Sequence, residues 1–335
     1  MNFKNYIFLI FINIVLCQLH WYNHSELEWK TIETENFKIH YHQGTENSAK
    51  EAASVAEYIY PHVTALYDYY PPDKTEIIIK DVDDYSNGSA YYYYNTIEIW
   101  AKPMNYDLRG SHRWMSDVIT HEFTHIVQLG KSMKFSNNFP GTYFQMIGYE
   151  DEKRDDVIYG YPNQLISYTI PNTAVPPWFA EGTAQYMYDL AYFDYWDSIR
   201  DMLLRDKVLN NSLLSFDEMN TFGKCGLGNE LVYNQGFSLV NYIVENYGEN
   251  SLRIISENLS KPLIYSIDDA INNSIGISGT KLYDSWKNDL VEKYNSQLSK
   301  KENINILNEN YSIIESEGTA NLNPIWSPNG DKIAF

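Results

Sequence analysis

The residues with the clearest capacity for chemistry are His121, Glu122 and His125, which form the pattern His-Glu-x-x-His. Residues four apart lie on one face of an α-helix, so the two imidazoles can bind the same metal ion. The carboxylate of Glu122 can then act on a water molecule at an open position of that metal. A catalytic zinc site needs three protein ligands and a water, so this motif supplies two ligands and a general base.

Glu181 is the candidate for the third ligand. It lies in the segment Trp178–Gly182, directly after two prolines, and proline suits the first turn of a helix. A carboxylate in such an apolar setting is costly to bury unless it is paired or bound to a metal. A favourable charge near a helix N-terminus is the alternative role for Glu181. The sequence thus predicts one zinc ion bound by His121, His125 and Glu181.

The residues around the motif predict the helix that the motif needs. Ser111 is a candidate N-cap and Gly130 a candidate residue beyond the last turn, which gives a helix of about 18 residues. Two histidines that only pack or contact solvent are the alternative interpretation, and the helical pattern argues against it. The apolar residues recur at three- and four-residue steps, namely Trp114, Val118, Ile119, Phe123, Ile126 and Val127.

Taken together, the two segments resemble the gluzincin metallopeptidases, and most closely the peptidase-MA-like domains of bacterial secreted proteins. The likeness extends over about residues 30 to 300. The resemblance implies a zincin-like fold and a zinc-dependent peptidase, and the lack of a Gly-x-Met-Glu-Asn pattern favours an endopeptidase. Softer similarities lie in Phe37–Tyr41 as a first strand, in Tyr233–Ile243 with Tyr247 and Gly248 as a later helix, and in Gly276 and Trp286 as parts of closing helices.

The resemblance also implies roles for two catalytic residues. Glu122 would take a proton from the metal-bound water and pass it to the leaving amine. Tyr233 would donate a hydrogen bond to the developing oxyanion, because related enzymes place a tyrosine on a following helix. A packing role for Tyr233 is the alternative in a chain with 30 tyrosines. Two other functions stay open, namely a catalytically idle domain that acts as a binding module and a zinc hydrolase that does not cleave peptides.

Three further histidines are interpreted without a metal. His40 and His42 share one face of a predicted strand, and alternation on an exposed face explains them. His112 precedes the metal helix and is interpreted as polar surface.

Charge and the N-terminus predict an extracytoplasmic protein. The net charge of −19 argues against nucleic-acid binding, which requires a basic surface. A short basic start and an apolar stretch from Tyr6 to Cys17 predict a signal peptide over residues 1–17, too short to span a bilayer. The alternatives are a lipid anchor on Cys17 and a buried first helix. After cleavage only Cys225 would remain, so no intrachain disulfide is expected, and no transmembrane span either.

The C-terminal residues predict a second domain. The segment Asn323–Phe335 resembles the opening of a TolB-like propeller repeat, with a tight turn at Pro328–Asp331. A single hairpin cannot bury its own face, so we expect a truncated propeller that could bind a protein partner. A stray terminal hairpin is the alternative. The predicted organisation is a signal peptide at 1–17, a zincin-like domain at 18–299, a linker at 300–318 and the first propeller strands at 319–335.

The predicted fold class is α+β, with a small mixed sheet and the active-site helix followed by a mostly helical lower half. We expect the strand at 91–100 to be the edge strand beside the metal site, with which an extended peptide substrate could pair. Strands are predicted at 36–42, 75–80 and 91–100, and helices at 46–69 (with a kink at Pro61), 196–207, 229–247, 249–259 and 278–298.

Overall fold

The N-terminal part of the chain forms a five-stranded mixed sheet in the order β1-β2-β3-β5-β4. The three inner strands are parallel, and the two edge strands pair antiparallel with them. Phe37, Ile39, Ile77, Ile79, Ile97 and Ile99 alternate with more exposed residues and bury one face of the sheet. The strands are β1 Lys30–Glu33, β2 Phe37–Tyr41, β3 Thr75–Lys80, β4 Gly88–Tyr91 and β5 Thr96–Trp100.

The chain is described here from a computed structural model, which covers residues 24–104, 113–135, 142–148, 164–170, 172–191, 196–223, 226–300 and 325–334. The protein divides into two units, residues 1–291 and 292–335. Within the described residues, none of the helices is both long and apolar enough to cross a membrane.

Two long helices cover the buried face of the sheet. Helix α1, Glu46–Tyr67, connects β2 to β3, and helix α2, Trp114–Lys131, carries the His-Glu-x-x-His motif. Aromatic contacts fix their positions, because the ring of Phe123 lies 5.1 Å from that of Phe37 and 5.6 Å from that of Tyr60, measured between centroids. The metal helix is thus held between the sheet, α1 and the helices that follow.

The ends of α2 differ from the prediction. The N-cap is Arg113, whose side chain makes no capping hydrogen bond, and Ser111 lies outside the described residues. The helix continues through Gly130 to Lys131, and Ser132 is its C-cap. The predicted extent was therefore close, but both predicted end residues were wrong.

The predicted strand at 91–100 is confirmed only over Thr96–Trp100, which is β5, and the difference matters for the site. Residues 92–95 form a tight turn between β4 and β5, closed by the Tyr94 amide donating to the Tyr91 carbonyl. Asn95 completes it with a left-handed φ of 51°, a conformation that asparagine tolerates well. The edge strand is therefore β4, which begins at Gly88, and it packs against α2.

The second half of the chain is mostly helical, as expected. An antiparallel hairpin of β6 and β7, which the sequence patterns did not predict, precedes these helices. Helix α7 and strand β1 were also missed. The remaining elements are β6 Thr142–Gly148, β7 Gln164–Ile170, α3 Pro177–Leu190, α4 Ser198–Leu209, a short 3₁₀ helix Glu218–Asn220, α5 Gly226–Tyr247, α6 Asn250–Ser260, α7 Ile267–Ile275 and α8 Gly279–Lys300.

In the described residues of the C-terminal unit, two short strands form a small hairpin. Strands β8, Ile325–Trp326, and β9, Ile333–Ala334, pair antiparallel around a turn in which the Gly330 amide donates to the Ser327 carbonyl. A hairpin of this size does not make a propeller. The predicted signal peptide and residues 301–318 of the predicted linker lie outside the described residues. The small mixed sheet and the mostly helical half are confirmed.

Candidate metal centre

Three side chains from α2 and α3 converge on one point. The Nε2 atom of His121 lies 2.8 Å from Oε2 of Glu181, and Nε2 of His125 lies 3.2 Å from the same oxygen. One ligand atom from each residue falls within 4.8 Å of the others, and all three residues are buried. Ligand atoms around a tetrahedral zinc ion are about 3.4 Å apart, given bonds of about 2.0–2.1 Å. The cluster could therefore bind a metal ion.

Close packing of helix backbones brings Glu181 to the histidines. A Cβ atom at Gly182 would lie 2.5 Å from the backbone carbonyl of Gly236 in α5, and one at Gly236 would lie 2.4 Å from the Trp178 carbonyl oxygen. Only residues without a side chain allow α3 and α5 to touch in this way. On the other side of α3, the Gln128 amide of α2 donates to the Phe179 carbonyl at 3.3 Å.

The electrostatics of the cluster favour a cation. Burial alone would raise the pKa of Glu181, but the adjacent His125 and His121 outweigh burial and lower it. Burial alone would lower the pKa of His125, but Glu181, and to a lesser extent Glu122, raise it overall. The two shifts describe one interaction, in which a negative carboxylate stabilises positive charge between the imidazoles. Without a metal, that positive charge is a proton.

Glu122 lies beside the cluster and faces a cleft. Its side chain is buried, and it lines this cleft together with His121, Gly88 and Tyr233. A carboxylate next to a metal ligand and open to a cleft is suitably placed to exchange a proton with a molecule bound there.

Tyr233 of α5 lies against the metal cluster. Its ring stacks on that of His121, with centroids 6.0 Å apart and planes inclined by 21°. Phe222 stacks on Tyr233 at 6.1 Å. The half-buried ring therefore borders both a ligand residue and the cleft, which is where an oxyanion donor would have to lie.

Gln185 and Arg200 are among the cleft residues that the sequence did not indicate. Gln185 follows Glu181 by one helical turn and is buried, and its Oε1 atom has no hydrogen-bond partner in the described part of the chain. Arg200 of α4 is also buried and donates to Asp197, the N-cap of that helix, at 3.0 Å. The i, i+4 relation to Glu181 could have indicated Gln185. Nothing in the local sequence indicated Arg200.

Among the described residues, His40 and His42 do not join the cluster. His42 was expected on an exposed face, but it is buried, with Nδ1 within 3.0 Å of the Gln43 carbonyl and Nε2 accepting from the Asp81 amide at 3.1 Å. This buried position corrects the prediction, while a role without metal agrees with it. His40 contacts Thr31 through Nδ1 at 2.9 Å. His112 lies outside the described residues.

Comparison with known protein families supports the interpretation of this site. A family model described as Peptidase MA superfamily matches residues 161–292. The match includes Glu181 and Tyr233 but begins after α2, so the motif helix is an independent observation. No curated protein matches the chain. The match at 161–292 and the cluster of His121, His125 and Glu181 together support a zincin-like peptidase domain.

Proposed function

We propose that the protein is a zinc-dependent peptidase, and specifically an endopeptidase, with His121, His125 and Glu181 as the ligands of one zinc ion. The observation that carries the proposal is the convergence of these three side chains beside Glu122. Two neutral imidazoles and one carboxylate are a donor set that zinc accepts, and they leave a fourth position for water. The family match at residues 161–292 supports the same reaction class.

Bound zinc would polarise the scissile carbonyl and lower the pKa of a water molecule to about 7. Glu122 would accept a proton from the attacking water and return a proton to the leaving amine as the carbon–nitrogen bond breaks. The Tyr233 hydroxyl donates a hydrogen bond to the carbonyl oxygen as its negative charge develops.

The edge of the sheet supplies a binding path for a peptide. Strand β4 pairs with β5 on one side only, and it packs against α2 beside the cleft. An extended substrate that pairs with β4 would place a backbone carbonyl near Glu122. The edge strand in this path is β4, Gly88–Tyr91, and not the strand that the sequence predicted at 91–100. An open edge accepts the middle of a chain, which favours cleavage within a peptide.

Two glutamate variants test the assignment. Glu122→Gln should retain about one zinc per chain and lose about 10²–10⁴-fold in kcat, because only the proton acceptor is removed. Glu181→Gln should lose both zinc and activity, because a ligand is removed. Zinc content would be measured by mass spectrometry and cleavage with a mixed peptide library. Glu98→Gln, on the face of the sheet opposite the buried isoleucines of β5, is the matched control and should change neither.

The outcomes separate the alternative functions. A wild-type protein that binds zinc but cleaves no peptide would favour the idle binding domain. Hydrolysis of esters or amides without peptide cleavage would favour another zinc hydrolase. Full activity in Glu122→Gln would remove the proposed mechanism.

The ends of the chain carry a separate proposal, based on composition. We propose that residues 1–17 are a signal peptide and that the mature protein acts outside the cytoplasm, with residues 300–318 as a linker and 319–335 as the start of a propeller. N-terminal sequencing of the secreted product would test the cleavage site. A mature protein that begins at Cys17 with a lipid attached would favour the lipid anchor.

A further inference from the structure

The edge strand β4 reaches the candidate general base at a glycine. A Cβ atom at Gly88 would lie 2.4 Å from Cγ2 of Val118 and 2.8 Å from Oε1 of Glu122. It would also lie 3.1 Å from Cγ of Glu122. Distances below about 3 Å are far inside van der Waals contact. The backbone of β4 therefore lies so close to α2 that a side chain at position 88 would collide with the Glu122 carboxylate.

The register of β4 explains why this contact faces the helix. Gly88 pairs with Ile99 and Ala90 pairs with Ile97, and both isoleucines are buried between the sheet and the helices. Gly88 and Ala90 therefore share the face that covers α2, while Ser89 lies on the opposite face. Ala90 carries a Cβ atom on this same face, so the requirement for glycine is specific to position 88.

The two neighbours of Gly88 differ in stiffness. Val118 is β-branched and lies in a helix, where it has essentially one rotamer. Glu122 has three side-chain torsions, and the nearer of the two atoms that a new Cβ would approach, Oε1, is at the free end of its side chain. Of the two, Glu122 can yield more easily. A side chain at position 88 would thus displace the carboxylate of the base rather than the valine.

We propose that Gly88 is a positioning residue for Glu122, and this inference rests on the proposed peptidase function. The bare backbone of β4 lets the Glu122 carboxylate adopt its position in the cleft beside His121. The strand that would bind the substrate is then the same element that sets the position of the base.

The test begins with Gly88→Ala. We expect kcat to fall about 10²-fold, because a displacement of the base by about 1 Å has an effect of that size. Zinc content should stay near the wild-type value, because the three atoms nearest to a Cβ at position 88 belong to Val118 and Glu122 and not to a candidate zinc ligand. Glu98→Ala, on the neighbouring strand β5 and on the opposite face of the sheet, is the control and should leave kcat unchanged.

A double variant distinguishes positioning from packing. Val118→Ala removes the Cγ2 atom that lies 2.4 Å from the new Cβ, but it leaves the contact with Oε1 of Glu122. Relative to Val118→Ala alone, Gly88→Ala/Val118→Ala should therefore have a normal melting temperature and a kcat that stays low. Recovery of kcat together with stability would overturn the proposal, because Gly88 would then only make room for Val118.

Failure of the proposed function would look different. A zinc-loaded wild-type protein without any cleavage would refute the peptidase, and crystal structures of the wild type and Gly88→Ala would then decide the inference. A Glu122 carboxylate that moves by about 1 Å or more in the variant supports positioning. A carboxylate that stays in place overturns it.

Discussion

The candidate metal ligands and the candidate base are neighbours, but different parts of the fold hold them. His121, His125 and Glu181 depend on contacts between helices, above all on the close approach of α3 and α5 at Gly182 and Gly236. Glu122 instead faces the sheet, where it meets the backbone of β4 at Gly88. The contact between α3 and α5 sets the position of the candidate metal ligands. The contact between α2 and β4 sets the position of the Glu122 carboxylate, which would accept the proton.

This difference implies that metal binding and turnover can be lost separately. A change at the helix contact should remove the zinc ion and, with it, the activity. A change at the strand contact should reduce the rate and leave the zinc in place. Variants that change both properties to the same degree on both sides would show that the two supports are coupled.

Gly182→Ala, which disrupts the contact between α3 and α5, should have the largest effect. The added Cβ would lie 2.5 Å from the backbone of Gly236, which cannot rotate away as a side chain can. We expect a loss of unfolding free energy of about 3 kcal/mol or more, because overpacking against backbone is costly. Zinc stoichiometry should fall well below one per chain, measured by mass spectrometry and isothermal titration.

Ala180→Gly is the control for this variant, because it changes helix propensity near Glu181 without adding an atom. It should cost about 1 kcal/mol and keep the zinc. Alanine is the better helix former, so propensity alone would make Gly182→Ala more stable than the wild type. A stabilised Gly182→Ala with normal zinc content would contradict the packing argument.

Tyr233→Phe should lower the rate of turnover without changing metal binding. Its ring stacks on His121, and phenylalanine retains this contact while it lacks the hydroxyl. We expect kcat to fall about 10²-fold, the size found for loss of an oxyanion donor. Zinc affinity should stay unchanged. Full activity in this variant would leave Tyr233 with a packing role only.

The pH dependence of stability in the metal-free protein should show how much the ion pair between Glu181 and His125 stabilises the fold. The pKa of Glu181 is lowered from its ordinary 4.5, so its contribution is present above that value and is lost as the pH falls through the lowered pKa. The pKa of His125 is raised from 6.5, so its contribution is present below that value and is lost as the pH rises through the raised pKa. The pair should therefore stabilise the metal-free fold most between pH 4.5 and 6.5.

Denaturant unfolding of the metal-free protein across this range would test the expectation. Glu181→Gln should flatten the profile on both sides, because both shifts arise from the same ion pair. Glu98→Gln should leave the profile in place. A profile that keeps its shape in Glu181→Gln would assign it to other groups.

The sequence predicted what depends on neighbouring residues. The spacing of His121 and His125 on a helix, and of Glu181 after two prolines, follows from local periodicity, and both helices are present. The buried alternation of β2 and β3 was visible for the same reason. Local patterns also gave the edges of α5 and α8 to within a few residues.

What the sequence did not reveal depends on contacts between distant segments. The four tyrosines at 91–94 are strong strand formers, but the left-handed Asn95 and the pairing of β4 with β5 turn them into a strand end and a tight turn. The role of Gly88 cannot be read locally, because the residues that it approaches are 30 and more positions away. Arg200 likewise reaches the cleft only through the packing of α4.

The smallest effect is expected from replacing Lys134. This variant tests whether the ligand cluster depends on contacts beyond that of α3 with α5. This lysine follows the end of α2, is buried, and donates to the carbonyls of Leu259 and Lys261 at 2.6 and 2.8 Å and to that of Ile264. Burial lowers its pKa. Lys134→Met should cost about 1.5–3 kcal/mol of unfolding free energy, because charged hydrogen bonds to buried carbonyls are lost.

Zinc affinity and kcat of the folded Lys134→Met protein should remain at wild-type values, since the candidate ligands His121 and His125 lie within α2 and Lys134 lies past its C-terminus. Lys261→Met, an exposed lysine in the same loop, is the control and should change the unfolding free energy by no more than about 0.5 kcal/mol. Loss of zinc in Lys134→Met would mean that the position of the metal helix depends on this distant anchor. The support of the ligand cluster would then extend to α6 and beyond the contact of α3 with α5.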